Sequence, residues 1–170
     1  MPQKVVAHFI DHTIVKGTSI DVDPGKPRCH IQAPEQGSLE VDLAQLKALF
    51  FVKDLAGRPE HDEAKEPATG DTRLHGSHQV KLVFLDGEEL FGLMNRYPPN
   101  RSYFFVLPVD SESNNIRILV NRDAVHTIEP LKEGGTRSAM STHPPARPRR
   151  ESGWVFDGKD IRPDGSGRRE

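Results

Sequence analysis

Two segments of the chain carry apolar and polar residues in the same order. Residues 4–17 read KVVAHFIDHTIVKG and residues 79–92 read QVKLVFLDGEELFG, an offset of 75. The matched positions include an aromatic residue, an aspartate and a glycine, namely Phe9 with Phe84, Asp11 with Asp86, and Gly17 with Gly92. Further along, at an offset of 77, the apolar trio Leu39, Val41 and Leu43 matches Ile116, Ile118 and Val120. An ordered series of this length indicates an internal repeat.

Within each copy the apolar residues alternate with polar ones over short stretches, which is the pattern of half-buried strands. In the second copy it predicts five strands, over residues 80–85, 89–93, 102–107, 116–120 and 125–131. Asp86-Gly87 is the clearest turn signal, because glycine accepts the positive φ of a tight hairpin. Five short antiparallel strands in about 50 residues bury a core by curling into a small barrel. The predicted fold class is therefore mainly β, with two tandem five-stranded small β-barrels.

The end of the first copy fits two patterns at once. Residues 39–53 have apolar residues at helical spacing as well as at alternate positions. A helical turn over residues 43–48 that leads into a strand over residues 49–52 satisfies both. Each copy then contains an apolar pair three residues apart, Leu46 and Leu49 in the first and Val125 and Ile128 in the second.

Polar segments separate and follow the two copies. Residues 53–78 hold six acidic and four basic residues and too few apolar ones to offset ordering entropy, so they are predicted to be a mobile linker or a long loop. The predicted domains are repeat 1 at residues 4–55, a polar linker at 56–78, repeat 2 at 79–131 and an irregular Pro/Arg-rich tail at 132–170.

The strand and turn pattern resembles that of Sm-like and SH3-like small barrels. In the second copy the resemblance rests on Phe84, Asp86, Gly87, Gly92 and the Val125/Ile128 pair, whereas the first copy has His12 in place of Gly87. The arrangement is also similar to an uncharacterised bacterial tandem domain of unknown function. This second resemblance covers residues 4–131 and implies no activity.

RNA binding is a second hypothesis that follows from the resemblance. Sm-like RNA binders use an Arg-Gly step before the last strand, where this chain has Arg122-Asp123. A carboxylate beside the phosphate would repel it, so this route is disfavoured. A nucleic-acid or nucleotide-binding module remains the alternative function, with phosphate contacts assigned to Arg96, Arg101, Arg117 and Arg122.

Catalytic and metal-binding patterns are weak. The only dense set of metal-ligand types is His8, His12, Cys29 and His30, which we interpret as solvent-facing histidines and a buried cysteine. A metal site at His8, His12 and His30 is the remaining alternative. The sequence carries none of the nucleophile, phosphate-loop, dinucleotide or paired His-Glu motifs. We therefore predict no enzymatic activity and no cofactor.

Composition and charge limit the classes of partner and the cellular locations that the sequence predicts. The 170 residues carry a net charge of -2, which provides no global field for nucleic acid or anionic membranes, and a single Cys cannot form an internal disulfide. No apolar run approaches the roughly 18 residues of a membrane span, and the N-terminus lacks the pattern of a signal peptide. A cytoplasmic location is expected, in the cell interior or at the periphery of a membrane complex.

The leading hypothesis is a non-enzymatic adaptor or accessory subunit of a protein assembly. Tryptophan and phenylalanine anchors concentrate binding energy in docking segments, and Trp154 stands within the polar tail. The partner is expected to be a protein, in a larger or a membrane-associated complex. The predicted partner-binding residues are Trp154, Val155, Phe156, Arg147, Arg149, Arg150 and Phe104.

Overall fold

The computed structural model describes residues 1–131, which form ten strands and three single-turn 3-10 helices. The strands are β1 Gln3–Phe9, β2 Ile14–Ser19, β3 Arg28–Ala33, β4 Gly37–Asp42, β5 Leu46–Val52, β6 His78–Phe84, β7 Glu89–Met94, β8 Tyr103–Pro108, β9 Asn115–Asn121 and β10 Val125–Pro130. The 3-10 helices are Leu43–Gln45, Thr72–Leu74 and Arg122–Ala124. None of the helices in this described part is long and apolar enough to cross a membrane.

All ten strands belong to one open antiparallel sheet, in the order β10-β6-β7-β8-β9-β5-β1-β2-β3-β4. Each half of this order contains the strands of one sequence copy. The halves meet where β5 pairs with β9, with Leu49 opposite Leu119 and Phe51 opposite Arg117. We call this pairing the seam; it makes β4 and β10 the two ends of the sheet.

The core consists of two hydrophobic clusters that interlock at the seam. The cluster of the first half includes Leu119 from β9, and Tyr103 and Phe105 from β8 pack against it. The cluster of the second half includes Ala48 from β5, with Phe50 packed against it. Each half therefore contributes side chains to the core of the other half.

Gly17 and Gly92 explain one of the matches between the two copies. A Cβ atom on Gly17 would overlap the backbone of Gln32, and one on Gly92 would overlap Val106 and the carbonyl oxygen of Leu107. In both halves the second strand thus passes so close to the third that only glycine fits. The repeated glycine is a packing requirement rather than a flexible link.

The mainly β prediction is confirmed, and the five strands predicted for the second copy lie within two residues of β6 to β10. The two patterns found in residues 39–53 also correspond to structure, as a 3-10 turn at Leu43–Gln45 followed by β5. The ten strands form one continuous open sheet, where the sequence predicted two tandem five-stranded small barrels. Local alternation carries no information about the seam, because β5 and β9 are far apart in sequence.

Residues 53–77 form a long loop that lies against the second half. Asp110 accepts hydrogen bonds from His61 Nε2 at 2.7 Å and from the Ala64 amide at 2.9 Å. Arg73 donates to the carbonyl oxygens of Pro108 and Val109 at 3.0 and 2.9 Å. These contacts hold the loop on the end of β8 and on the turn that follows it.

Candidate functional site

Two equivalent hairpin turns, β1-β2 and β6-β7, present exposed isoleucine and leucine side chains near the seam. Ile10 is 50% exposed and Leu85 is 49% exposed. Both border one cleft of about 220 Å³, together with His12, Lys47 and Asp86. We call these five residues the hairpin-tip surface. It combines two exposed apolar side chains with charged groups.

The backbone holds both apolar tips in place. The amide of Ile10 donates to the carbonyl oxygen of Gln45 at 3.0 Å. The amide of Leu85 donates in the same way to Ala124 at 2.9 Å. Each tip is therefore tied to the 3-10 turn before the last strand of its own half, and the surface is formed before any partner arrives.

Lys47 on β5 connects the seam to the second hairpin tip. Its ammonium group donates to Asp86 Oδ2 at 2.8 Å and also to Glu88, and it lies 4.7 Å from the centre of the Phe84 ring. Burial works to lower the pKa of Lys47, but the hydrogen bonds and charges of the two carboxylates outweigh it, and the pKa is raised. The lysine therefore stays charged and the seam stays joined to the second hairpin.

The turn of the first hairpin has an unusual backbone at His12. Its φ is 75°, in the left-handed region that favours glycine, and the equivalent Gly87 has φ 93°. The Asp11 carboxylate accepts a hydrogen bond from the Thr13 amide at 2.9 Å and stabilises the turn. The chain thus has an imidazole on the hairpin-tip surface at a position whose backbone conformation glycine would adopt with less strain.

A second surface gathers arginines around the β7-β8 turn. Arg96 and Arg122 line a groove of about 710 Å³ with His78, Tyr97 and Asn100. Arg96 also lines a neighbouring cleft of about 240 Å³ that includes Arg101. We call this set of two clefts the arginine groove. Burial lowers the pKa of Arg122, although Asp123 partly offsets the effect.

Arg117 does not belong to the arginine groove. Its guanidinium lies over the rings of Phe51 and Phe105, at 4.3 and 4.6 Å from their centres, and donates to Gln3 at 3.2 Å. The structure therefore brings together three of the four arginines assigned to phosphate contact, and places the fourth at the seam.

Phe104, named among the predicted partner-binding residues, is a core residue. Its exposed fraction is 8%, and it belongs to the cluster of the second half. Tyr103 and Phe105, on the opposite face, pack against the cluster of the first half. Both faces of β8 are covered because the seam places the first half against it.

The histidines considered as metal ligands do not share a site. β2 lies between β1, which carries His8, and β3, which carries His30. The His8 ring packs 4.7 Å from the Phe50 ring, centre to centre, and burial lowers its pKa. His30 Nδ1 lies 2.8 Å from Asp21 Oδ2.

Cys29 is a buried thiol, as the sequence indicated. Burial, reinforced by the charge of Asp21, raises its pKa to about 11. The thiolate is the reactive form of cysteine, so this residue behaves as a small apolar side chain.

A cluster that the sequence analysis missed consists of His61, Glu63 and Asp110. Their ligand atoms lie within 4.8 Å of one another, and this is the one such group of three or more among residues 1–131. Imidazole and carboxylate are ligands for a divalent cation, so these residues could hold one. In the structure Asp110 already accepts hydrogen bonds from His61 and from the amides of Ala64 and Glu112. These hydrogen bonds hold the long loop against the second half. No local signal links residues nearly 50 positions apart.

The predicted tail residues, from Arg147 to Phe156, lie outside the residues that the structure describes. The tail-docking hypothesis therefore stays a prediction. It depends on Trp154, Val155, Phe156, Arg147, Arg149 and Arg150.

Comparison with known proteins gives a family but no activity. The chain has no match among curated proteins or among solved structures. Residues 1–132 match a family of unknown function, DUF6982. The match therefore covers every strand of the sheet. This match agrees with the resemblance to an uncharacterised domain, and the chain belongs to the DUF6982 family.

Proposed function

We propose that the chain is a non-enzymatic adaptor that binds a protein partner through its hairpin-tip surface. The observation that carries the proposal is the pair of exposed side chains Ile10 and Leu85, which lie at equivalent hairpin tips and line the same cleft. Exposed apolar side chains next to charged groups are typical of a protein interaction site. A partner would place an apolar side chain between the tips and a polar group near Lys47.

The proposal extends to the fold of each half and to the tail. Each half would be a bent, Sm-like or SH3-like small barrel that serves as a rigid scaffold for one tip. The tail, with Trp154 and Phe156 as anchors, would add a second contact to the same partner. Because the two contacts are on one chain, the second would form at high effective concentration. In this proposal the assembly is located in the cytoplasm, either free or at the periphery of a membrane complex.

The hairpin-tip surface is tested with the double variant Ile10→Asp and Leu85→Asp in the full chain. Two carboxylates at the tips would have to be desolvated in the interface, so partner capture in a quantitative pull-down should fall by about tenfold or more. Ile116→Asp is the matched control, because Ile116 is exposed on β9 and lies outside the cleft. Equal capture by the double variant and the control would refute the proposed surface.

The tail is tested separately with Trp154→Ala and Phe156→Ala. If the tail adds a second contact, this variant should lose part of the capture while the described fold keeps its melting temperature. Unchanged capture would remove the tail from the proposal and leave the hairpin-tip surface as the whole interface.

A nucleic-acid-binding module is the second candidate, and the arginine groove favours it. Arg96, Arg101 and Arg122 surround clefts that also contain Tyr97 and His78, a combination that suits phosphates and stacked bases. Arg96→Glu with Arg101→Glu should then abolish the binding of a labelled single-stranded RNA. Arg28→Glu, an exposed arginine on β3, is the control. Binding that is absent even at low salt would remove this candidate.

A further inference from the structure

The last strand at one end of the sheet, β4, has an unpaired edge. Within residues 1–131 β4 pairs only with β3. The Leu43 amide donates to the carbonyl oxygen of Pro27 at 2.8 Å, so these two residues form a hydrogen-bonded pair. Hydrogen-bonded and non-hydrogen-bonded pairs alternate along an antiparallel ladder, and Asp42, Glu40 and Ser38 fall at the non-hydrogen-bonded positions. The amides of Ser38, Glu40 and Asp42 therefore point away from β3. The His30 amide agrees with this pattern, because it lies opposite Glu40 and donates to Asp21 on the other side of β3.

The seam shows what such an edge accepts. By the internal repeat, β4 corresponds to β9 at an offset of 77, so that Asp42 corresponds to Leu119 and Glu40 to Arg117. In the seam these two β9 residues lie opposite Leu49 and Phe51 of an antiparallel strand, β5. A strand added to β4 in the same register would face Asp42 and Glu40 at those positions.

The side chains of β4 define the chemistry of that strand. Leu119 is buried in the seam, whereas its counterpart Asp42 and the neighbouring Glu40 carry negative charge. Asp42 accepts a hydrogen bond from the Ala44 amide at 3.0 Å, and Glu40 lies 3.5 Å from Arg28 with its side chain 55% exposed. On the other face of β4, Val41 is buried in the cluster of the first half. The complementary strand alternates basic residues, opposite the two carboxylates, with apolar residues on the Val41 side.

The β10 edge of a second copy is a poor match for β4. Strand β10 is the counterpart of β5 at an offset of 79, and Pro130 takes the place of Phe51. The Leu131 amide donates to Gln79 at 2.7 Å, so the neighbouring position 130 faces the free edge, where proline has no N–H to offer. Ile128 would stand opposite Asp42, and its carbonyl oxygen already accepts from the Tyr97 hydroxyl at 3.3 Å.

We propose that the β4 edge binds an extended segment of a partner protein, antiparallel to β4, in which basic and apolar residues alternate. The main chain of Ser38, Glu40 and Asp42 supplies the hydrogen bonds, and the two acidic side chains select the basic residues. This site is separate from the hairpin-tip surface, and it stands whether or not that surface binds a partner.

The test uses peptides derived from β5, the strand that the seam already accommodates. The probe is a labelled peptide of residues 45–53 that carries Leu49→Lys and Phe51→Lys, and the control peptide carries Leu49→Glu and Phe51→Glu. With the full-length protein, fluorescence anisotropy should show binding of the lysine peptide at least about tenfold tighter than that of the glutamate peptide. Amide exchange should slow at Ser38 and Glu40. Equal affinity of the two peptides, or no binding, would overturn the proposal.

Two protein variants locate the site. Glu40→Pro removes one outward amide and should weaken the lysine peptide by about tenfold. Glu40→Lys keeps the amide and should reverse the preference toward the glutamate peptide, which gives an answer even if the proline variant fails to fold. The double variant Ile10→Asp and Leu85→Asp should bind the lysine peptide as tightly as the native chain. Glu40-dependent self-association of the protein, measured by sedimentation, would assign the edge to a second copy and contradict the proposal.

Discussion

Among residues 1–131, His12 is the one non-glycine residue with a positive φ. A non-glycine residue in the left-handed region costs about 1 kcal/mol, and the equivalent Gly87 avoids this cost. We expect His12→Gly to raise the free energy of unfolding by about 0.5–1 kcal/mol, as measured by urea denaturation. Gly87→Ala should lower it by a similar amount. A loss of stability in His12→Gly would show that the imidazole makes a stabilising contact that outweighs its strained backbone.

Gly17 and Gly92 have a different role, because neighbouring atoms fill the space where a side chain would be. Alanine at either position must displace the adjacent strand, and we expect a loss of about 2–3 kcal/mol or more in urea denaturation. Gly25→Ala is the matched control, since its Cβ would lie 3.3 Å from the flexible Asp23 carboxylate. If all three alanine variants were equally stable, the close approach of the strands would be wrong.

At the scale of elements, the Asp110 carboxylate is one of the groups that hold the long loop of residues 53–77 against the second half. Burial acts to raise the pKa of Asp110, but hydrogen bonds from the Ala64 and Glu112 amides and from His61 outweigh it, and the pKa is lowered. A lowered carboxyl pKa contributes stability that is complete above the unfolded value, about 3.9, and is lost as the pH falls through the folded value.

We therefore expect the loop to open at acidic pH before the sheet does. The protection of residues 58–77 against hydrogen exchange, relative to the intrinsic rate at each pH, should fall as the pH drops below about 4, while β5 and β9 stay protected. Asp110→Asn should open the loop at neutral pH and remove most of this pH dependence. Loop exchange that does not change in the variant would show that Arg73 and its neighbours hold the loop alone.

The elements divide into those that the sequence predicts and those that it does not. The strands of the second copy are predictable because alternation and the Asp86-Gly87 turn are local signals. Phe104, which the sequence placed among the partner-binding residues, lies in the core of its own half, because alternation along β8 does not show which face of the strand is buried. In the site, Ile10 and Leu85 match in the repeat, but only the folded halves bring them to one cleft. The His61–Asp110 contact likewise has no local signature.

For the whole molecule, the interlocked clusters predict one cooperative unfolding transition. Leu119 belongs to the second half but is buried in the cluster of the first, so Leu119→Ala should destabilise both halves by about 2–4 kcal/mol. Hydrogen exchange of β3 and of β7 should report the same change in free energy. Protection lost in β3 alone would mean that the halves unfold independently.

The most direct test of the adaptor account is to purify the full-length protein from its own cells and identify what accompanies it. Mass spectrometry and the ultraviolet absorbance ratio would be measured on the native chain and on the Ile10→Asp and Leu85→Asp variant in parallel. The account predicts a protein partner, at a fixed ratio to the chain, that the variant loses, with no nucleic-acid absorbance. Nucleic acid in both samples, without a protein partner, would contradict it and make the arginine groove the functional site.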